Sequence, residues 1–209
     1  MLIEILKLIR FQNILICQIV IIIVCYLLDQ TYDSVNFIIT IISISSFMAF
    51  GNCINDIYDI DIDTLVHPQR PLVTNKISKK SAKYIACILV SIGVVCSYFM
   101  NQQALSFLYI IIFPLLITYS IYFKKIPLLG NLVVAFLLAS VLIFTELILT
   151  QEYKQLLIPA LLVFGFSIIR EIIKDLHDYE GDRQHNIKTL AVYFGPKKTI
   201  QVLKYIISL

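Results

Sequence analysis

Two short segments of the chain are rich in aspartate and carry the residues best suited to chemistry. The first contains Asn55, Asp59 and Asp63, at positions i, i+4 and i+8, and the second contains Asp178 and Asp182. Side chains four residues apart lie on the same face of a helix, where like charges repel unless a cation holds them. Because seven of the nine aspartates of the chain lie in these two segments, we expect the functional site to be built from them.

The oxygen atoms of these side chains are the ligands that Mg²⁺ prefers. Carboxylate and amide oxygens suit hard divalent cations, and Mg²⁺ completes its coordination with water and with the phosphates of a substrate. The sequence therefore predicts that Asn55, Asp59, Asp63, Asp178 and Asp182 bind Mg²⁺ and, through the metal, a diphosphate. The four aspartates of this set are also the predicted catalytic residues.

Basic and polar residues near the two segments are predicted to bind the substrate. Arginine and lysine side chains suit diphosphate oxygens, and aspartates 56, 59 and 63 share their spacing with aspartates 175, 178 and 182. We expect Asp56 and Asp175 to orient ligands or to hold a basic residue. Asn13 is expected either to face the site or to bond a neighbouring helix. The predicted substrate-binding residues are Asn13, Asn55, Arg70, Lys124, Asp175, Arg183 and Lys188.

The composition is that of a membrane protein. Of the 209 residues, 59% are apolar and 15% are charged, and the mean hydropathy is +0.86, whereas soluble domains have about 45–50% apolar and about 25% charged residues. Six apolar runs are long enough to cross a bilayer, and a seventh begins near Thr199. The six runs are Phe11–Leu28, Val35–Asn55, Tyr84–Met100, Leu105–Phe123, Leu128–Leu149 and Leu156–Ile173. We predict one all-α integral-membrane domain, 1–209: a polytopic helical bundle of six complete transmembrane helices and the start of a seventh.

The distribution of basic residues predicts the orientation of the chain in the membrane. Of the 17 lysines and arginines, only Lys154 lies in a loop that connects an odd-numbered run to the following even-numbered run. Basic residues concentrate in cytoplasmic loops. The N-terminus and both aspartate segments are therefore predicted to lie on the cytoplasmic side, where the segments would face one another across a shared cavity.

The predicted substrate follows from the combination of a diphosphate site with an apolar surrounding. A polyprenyl diphosphate has a charged head for the metal site and a long apolar chain for a cavity between helices. Mg²⁺ would stabilise the leaving diphosphate, and a lipid-soluble acceptor would take the prenyl group. Membrane lipid is the other expected partner, and no nucleic acid is expected.

The two motifs together resemble those of the UbiA superfamily of intramembrane prenyltransferases. The first matches Asn-x-x-x-Asp-x-x-x-Asp at Asn55, Asp59 and Asp63, followed by Arg70-Pro71, and the second matches Asp-x-x-x-Asp at Asp178 and Asp182. Arg10 with Asn13 and Gly130-Asn131 also stand at positions where members often have them. The stretches 170–175, 180–183 and 188–190 are most similar to the digeranylgeranylglyceryl phosphate synthase branch.

The resemblance implies an all-helical fold with a central cavity, Mg²⁺ dependence and a prenyl diphosphate donor, with geranylgeranyl diphosphate favoured. The similar branch implies a prenylglyceryl phosphate acceptor and hence ether-lipid synthesis. Members usually have nine membrane helices, so the chain is expected to be truncated at its C-terminus. Three alternatives remain: prenylation of an aromatic quinone precursor or haem, an inactive truncated relative, and a divalent-cation transporter.

Overall fold

The part of the chain that the structure describes is built from helices. The structure is a computed structural model, and it describes residues 1–28, 34–184 and 187–208. The helices are α1 (Leu2–Leu8), α2 (Phe11–Leu27), α3 (Ser34–Tyr58), α4 (Ile60–Val66), α5 (Lys79–Ser97), α6 (Gln102–Phe107), α7 (Phe113–Ile121), α8 (Leu129–Thr150), α9 (Leu157–His177), α10 (Tyr179–Gln184), α11 (Leu190–Phe194) and α12 (Pro196–Ile207). A π-helical turn, Leu108–Ile112, joins α6 to α7, and a 3₁₀ turn, Phe123–Lys125, precedes α8. The predicted all-α class is confirmed.

Four helical stretches are long and apolar enough to cross a membrane. They are Phe37–Tyr58, Lys79–Ser97, Gln102–Ile121 and Leu129–Thr150. Helices α1 and α2 are bent by 63° at Ile9 and Arg10, and they would make a fifth span if the pair crosses as one unit. Arg10 occupies the left-handed region at this bend, with φ of 54°. The part of the chain that the structure describes therefore has four or five candidate spans by length and composition.

The α9 helix has the length of a span but a different composition. Its 21 residues include the predicted sixth run, but four charged residues fall between Arg170 and Asp175. The sequence prediction ended this run at Ile173, whereas the helix continues four residues further to His177. Length and hydropathy alone therefore do not confirm the predicted count of six complete transmembrane helices.

The α3 helix is at the centre of the packing and carries the first aspartate segment at its C-terminal end. It packs on α5, α7, α2 and α8. Its closest neighbour is α5, where a Cβ atom added to Gly93 would lie 2.9 Å from the ring of Phe47. Because glycine has no Cβ, α5 can approach α3 closely at this point.

The α9 helix, which carries the second aspartate segment, is held to α8 by a buried carboxyl group. Glu146 of α8 is fully buried and accepts hydrogen bonds from the backbone N–H groups of Gln155, at 2.8 Å, and Leu156, at 3.0 Å. The first N–H groups of a helix have no partner within it. Glu146 instead bonds the two residues just before α9, and so ties the entry into α9 to the end of the preceding helix.

Candidate functional site

The first aspartate segment crosses a one-residue break between α3 and α4, and this break falls at Asp59. The hydrogen-bond pattern of the helix continues through it: Asp59 N–H donates to the Asn55 carbonyl at 3.0 Å, and Asp63 N–H donates to the Asp59 carbonyl at 2.7 Å. The three residues therefore keep their helical spacing and share one face of the segment.

The second segment has the same local structure. Asp178 stands between α9 and α10. Its N–H donates to the Lys174 carbonyl at 2.9 Å, and Asp182 N–H donates to the Asp178 carbonyl, also at 2.9 Å. The sequence shows that the two segments share the spacing of their aspartates. The structure shows that they also share a helix break at an aspartate.

Two arginines neutralise the buried aspartates of the first segment. Asp56 and Asp63 are 3% and 4% exposed. Asp56 Oδ1 accepts from Arg10 Nη2 and from Arg70 Nη1, each at 3.1 Å. Arg70 Nη1 also donates to Asp63 Oδ2 at 2.5 Å. Arg70 therefore joins two carboxylates seven residues apart in sequence.

Asp59 is paired with a lysine from another part of the chain. Lys124 Nζ lies 2.5 Å from Asp59 Oδ1, and the two side chains are only 12% and 14% exposed. Lys124 belongs to the 3₁₀ turn before α8, and a Cβ atom added to Gly130 would lie 3.1 Å from the Lys124 Cα. Gly130 thus allows the turn to fold tightly against α8.

The aspartates of the second segment are held mainly by uncharged donors. Asp175 Oδ2 accepts from Asn131 Nδ2 at 2.9 Å and from the Leu190 backbone N–H at 3.4 Å. Asp182 is buried and bonded to the side chain of Thr189. Asp178 pairs with the exposed ring of His177 at 2.9 Å. The two segments therefore differ in how their charge is compensated.

Burial and like charges disfavour ionisation of two of these carboxyl groups outside the membrane-spanning helices. Burial raises the pKa of Asp63 to about 6, against the favourable effect of Arg70 and with the repulsion of Asp59 and Asp56. The pKa of Asp182 is also raised, first by burial and then by the charge of Asp178. A bound cation favours the ionised form of a buried carboxyl group that lies beside other carboxylates.

The two segments lie within electrostatic range of one another. His67, just after α4, has a lowered pKa, first because it is partly buried and then because of positive charges that include Arg70 and, from α9, Lys174. The charge of Asp178 acts on the same ring. Charged residues from the two segments, more than 100 positions apart in sequence, therefore act on the same histidine ring.

A cavity of about 120 Å³ connects elements of both segments. Lys124, the partner of Asp59, and Asp175, from the second segment, both line it, together with Tyr119. Tyr119 lies within electrostatic range of Glu171 and of Asp59. The cavity therefore brings Asp175 close to the lysine that pairs with Asp59, but no aspartate of the first segment lines it, and it is too small for an isoprenoid chain.

A sequence model of the UbiA prenyltransferase family matches residues 18–209, a region that contains both aspartate segments. The chain belongs to this family. The predicted resemblance to the superfamily is confirmed.

Individual relatives give more detail. The digeranylgeranylglyceryl phosphate synthase of Sulfolobus acidocaldarius is 32% identical over 173 residues, which cover 83% of this chain and 62% of that protein. A structure from work on digeranylgeranylglyceryl phosphate synthase in membranes is 31% identical, with a TM-score of 0.76, and the match covers 99% of this chain and 73% of that one. A UbiA homologue from Archaeoglobus fulgidus bound to GPP and Mg²⁺ has a TM-score of 0.77 at 20% identity, covering 98% and 74%. The chain spans about three fifths of the length of the curated relatives it matches.

The donor set of the UbiA site fits a hard cation. Asn55 Oδ1 is buried and has no hydrogen-bond partner in the described part of the chain, and a buried acceptor without a partner is costly. Within residues 1–28, 34–184 and 187–208, no group of three His, Cys, Asp or Glu side chains is arranged to hold a metal. An amide oxygen and separate carboxylates, completed by substrate phosphate and water, are nevertheless the ligand types that Mg²⁺ uses.

The remaining predicted site residues occupy different positions. Lys188 lines the 120 Å³ cavity. Arg183 is exposed and donates to the Tyr179 hydroxyl at 3.4 Å. Asn13 is exposed on α2, and no contact places it at the site. The metal-binding, catalytic and substrate-binding assignments all stay predictions.

Sequence reasoning left several residues of this site without a role. Arg10 and Asn131 were noted only as positions common in the superfamily, yet each holds an aspartate of one segment. Lys174 and Thr189 line the cavity. The i, i+4 spacing of Lys174 to Asp178 was the available signal for the lysine, whereas no local pattern marks Thr189.

Proposed function

We propose that this protein transfers a prenyl group from a polyprenyl diphosphate, with geranylgeranyl diphosphate favoured, to a prenylglyceryl phosphate. The observation that supports the proposal is that Lys124, the partner of Asp59 in the first segment, and Asp175 of the second segment line the same cavity. Membership in the UbiA family supports prenyl transfer. The acceptor is suggested by the relative from Sulfolobus acidocaldarius, which is named a digeranylgeranylglyceryl phosphate synthase.

The residues of the two segments would divide the binding of a diphosphate. Asn55, Asp59, Asp63, Asp178 and Asp182 would hold Mg²⁺, which when bound neutralises the diphosphate and makes it a better leaving group. The same role for the metal is suggested by the Archaeoglobus fulgidus homologue, which was solved with GPP and Mg²⁺. This assignment gives the orphaned Asn55 oxygen a partner.

The basic residues of the first segment have a second role once the aspartates hold a cation. Arg70 and Lys124, released from Asp63 and Asp59, would donate to diphosphate oxygens. The C1–O bond of the donor then breaks and its electron pair leaves on the diphosphate. A new ether bond forms between C1 and the acceptor hydroxyl oxygen, and the hydroxyl proton passes to the departing diphosphate or to water. Breaking the C1–O bond leaves an allylic cation on the prenyl group. The low exposure of Arg70 and Lys124 and of their aspartate partners limits the access of bulk water to this cation.

The membrane arrangement that best fits this function has the site on the cytoplasmic side. We propose six spans, the bent α1–α2 pair and α9 included, with α12 as the start of a seventh and with residues 1–209 in one integral-membrane domain. The charged end of α9 then lies at the membrane surface beside α4 and the turn that carries Lys124. A central cavity for the prenyl chain, next to this polar end, is part of the proposal.

A transfer assay tests the proposed function directly. Membranes containing the protein would receive radiolabelled geranylgeranyl diphosphate and Mg²⁺, with geranylgeranylglyceryl phosphate in one sample and an aromatic quinone precursor in another. We expect label to move to the glyceryl phosphate, transfer to stop with EDTA, and added Mg²⁺ to restore it. Label on the aromatic compound alone would refute the proposed acceptor, and transfer in the absence of any divalent cation would refute the metal assignment.

A further inference from the structure

The cavity beside Lys124 contains two further lysines whose ammonium groups have no ion pair or hydrogen bond with a described residue. Lys124, Lys174 and Lys188 all line this cavity of about 120 Å³. Lys124 is paired with Asp59. Lys174 and Lys188 are exposed, and neither ammonium group has an ion pair or hydrogen bond with another described residue. Both are therefore free to bind an anion.

The two acids that line the same cavity already have partners. Glu171 is paired with Arg170. Asp175 accepts from Asn131 and from the Leu190 backbone. The partners of Asp175 are uncharged, so its carboxylate offsets part of the charge of Lys174 and Lys188, and the lining keeps a net positive charge of about one beyond the Lys124–Asp59 and Arg170–Glu171 pairs. A phosphate monoester carries about −1.5 to −2 charges at neutral pH, so this positive lining favours it.

A larger apolar cavity continues from this polar one. It has a volume of about 410 Å³ and shares Ile126, Pro127 and Lys188 with the smaller cavity. Its other lining residues are Lys125, Tyr193 and Phe194, and the two rings meet edge to face with centroids 4.9 Å apart. Lys188 thus stands where a charged cavity joins an apolar one.

We propose that these two cavities form the acceptor-binding site, with Lys174 and Lys188 binding a phosphate monoester and the apolar cavity binding the start of a hydrocarbon chain. The inference rests on the proposed function and names the part of the molecule that would select a phosphorylated acceptor. It gives Lys188 a different partner from the diphosphate that the sequence predicts for it.

The position of the site suits an acceptor better than a donor. None of Asp59, Asp63, Asp178 and Asp182 lines the smaller cavity, although these are the residues proposed to hold the metal-bound diphosphate. Lys124 borders the cavity and pairs with Asp59, so a phosphate bound there lies next to the diphosphate region. In the proposed glyceryl phosphate acceptor the reacting hydroxyl is on the carbon beside the one that bears phosphate, so a phosphate bound in the cavity keeps the hydroxyl only a few bonds away from the diphosphate region.

The test compares lysine variants in a two-substrate kinetic assay. Lys174→Ala and Lys188→Ala are expected to raise KM for geranylgeranylglyceryl phosphate about tenfold each, because each removes one charge-assisted hydrogen bond. KM for geranylgeranyl diphosphate should stay within about twofold, and Lys188→Arg should restore most of the acceptor affinity. The matched control is Lys198→Ala, an exposed lysine of α12 outside both cavities, which should leave both KM values unchanged.

A second measurement asks whether phosphate itself is recognised. Wild-type protein should prefer geranylgeranylglyceryl phosphate over the unphosphorylated prenylglycerol, and the alanine variants should lose most of this preference. Inorganic phosphate should compete with the acceptor in the wild type and compete more weakly in Lys188→Ala.

The outcomes separate the inference from the proposed function. If the wild type uses the glyceryl phosphate but the alanine variants raise KM only for the donor, the cavity binds the donor diphosphate and the inference is wrong while the proposed function stands. Unchanged KM values in both alanine variants would also overturn the inference alone. If the wild type labels only an aromatic acceptor, the proposed function fails and the inference fails with it.

Discussion

Asp59 is the residue at which the first aspartate segment, the helix break and the contact with Lys124 coincide. A neutral side chain at this position would lack the negative charge that pairs with Lys124 and that is proposed to bind the metal. By contrast, Asp61 of the same segment is exposed to solvent. Substitutions of Asp59 and Asp61 therefore allow a matched comparison of a site carboxylate with an exposed one in the same segment.

We predict that Asp59→Asn lowers the rate of prenyl transfer at least about a hundredfold, as expected when a ligand that positions charge at the leaving group is lost. Asp61→Asn should keep the rate within about twofold, since an exposed carboxylate contributes little to a site it does not contact. The measurement is labelled transfer at equal amounts of membrane-inserted protein. Equal losses in the two variants would contradict the assignment of Asp59.

The Lys124–Asp59 pair predicts a link between metal and stability. In Lys124→Met the Asp59 carboxylate loses its partner while it is still largely buried, which costs toward the lower end of roughly 3–5 kcal/mol. We expect a lower apparent Tm without metal and a larger Mg²⁺-dependent rise in Tm than in the wild type, because the cation replaces the lost charge. Equal Mg²⁺-dependent rises in both proteins would argue against metal binding at Asp59. Lys125→Met, an exposed neighbour, is the control.

At the scale of elements, the two halves of the site have the same arrangement. In each, a long helix ends at an aspartate, and a short helix begins directly after it. The pairs are α3 with α4 and α9 with α10. A break without loss of the i to i+4 hydrogen bonds lets the segment bend while its acidic face stays continuous. The position of each acidic face therefore depends on how the long helix is held.

The Glu146 contact predicts a stability effect far from the site. Glu146→Gln leaves one oxygen to accept from two N–H groups just before α9 and places a donor where an acceptor is needed. We expect a loss of about 1–3 kcal/mol in stability, seen as a lower apparent Tm, with transfer retained below that temperature. Glu152→Gln, in the exposed loop nearby, should not change Tm. No difference between the two variants would show that the contact is not needed.

At the scale of the whole molecule, the site exists because several distant parts of the chain meet at one end of the bundle. The contacts of Asp56 and Asp59 come from Arg10, Arg70 and Lys124. Those of Asp175 come from α8 and from the start of α11. Under the proposed topology all these parts lie at the cytoplasmic surface.

Labelling of single cysteines tests this topology. In a background without the five native cysteines, we expect Glu152→Cys to react with a membrane-impermeant maleimide added to intact cells. Gln69→Cys, near the first segment, should react only after the membrane is permeabilised. Both positions are exposed in the fold, so accessibility to the reagent is decided by the side of the membrane. The reverse pattern would place the site outside the cell and refute the proposed orientation.

The amino-acid sequence by itself determined the helical membrane class, the family and the two aspartate segments. These features are local: a run of about 20 apolar residues must form a helix in lipid because its backbone groups have no other partners, and i, i+4 spacing places Asn55, Asp59 and Asp63 on one face. The same information misplaced the end of α9 by four residues. Its charged last turns end the apolar run at Ile173 without ending the helix, which continues to His177.

Only the tertiary structure decided which cations meet which carboxylates. Nothing in the spacing of Lys124, 65 residues after Asp59, distinguishes it from Lys125, yet only Lys124 pairs with Asp59, whereas Lys125 lines the larger apolar cavity. The same holds for Asn131 with Asp175 and for the two free lysines of the cavity. Such contacts depend on how helices pack and where tight turns bring the backbone, and these are sums over many distant residues that no local pattern records.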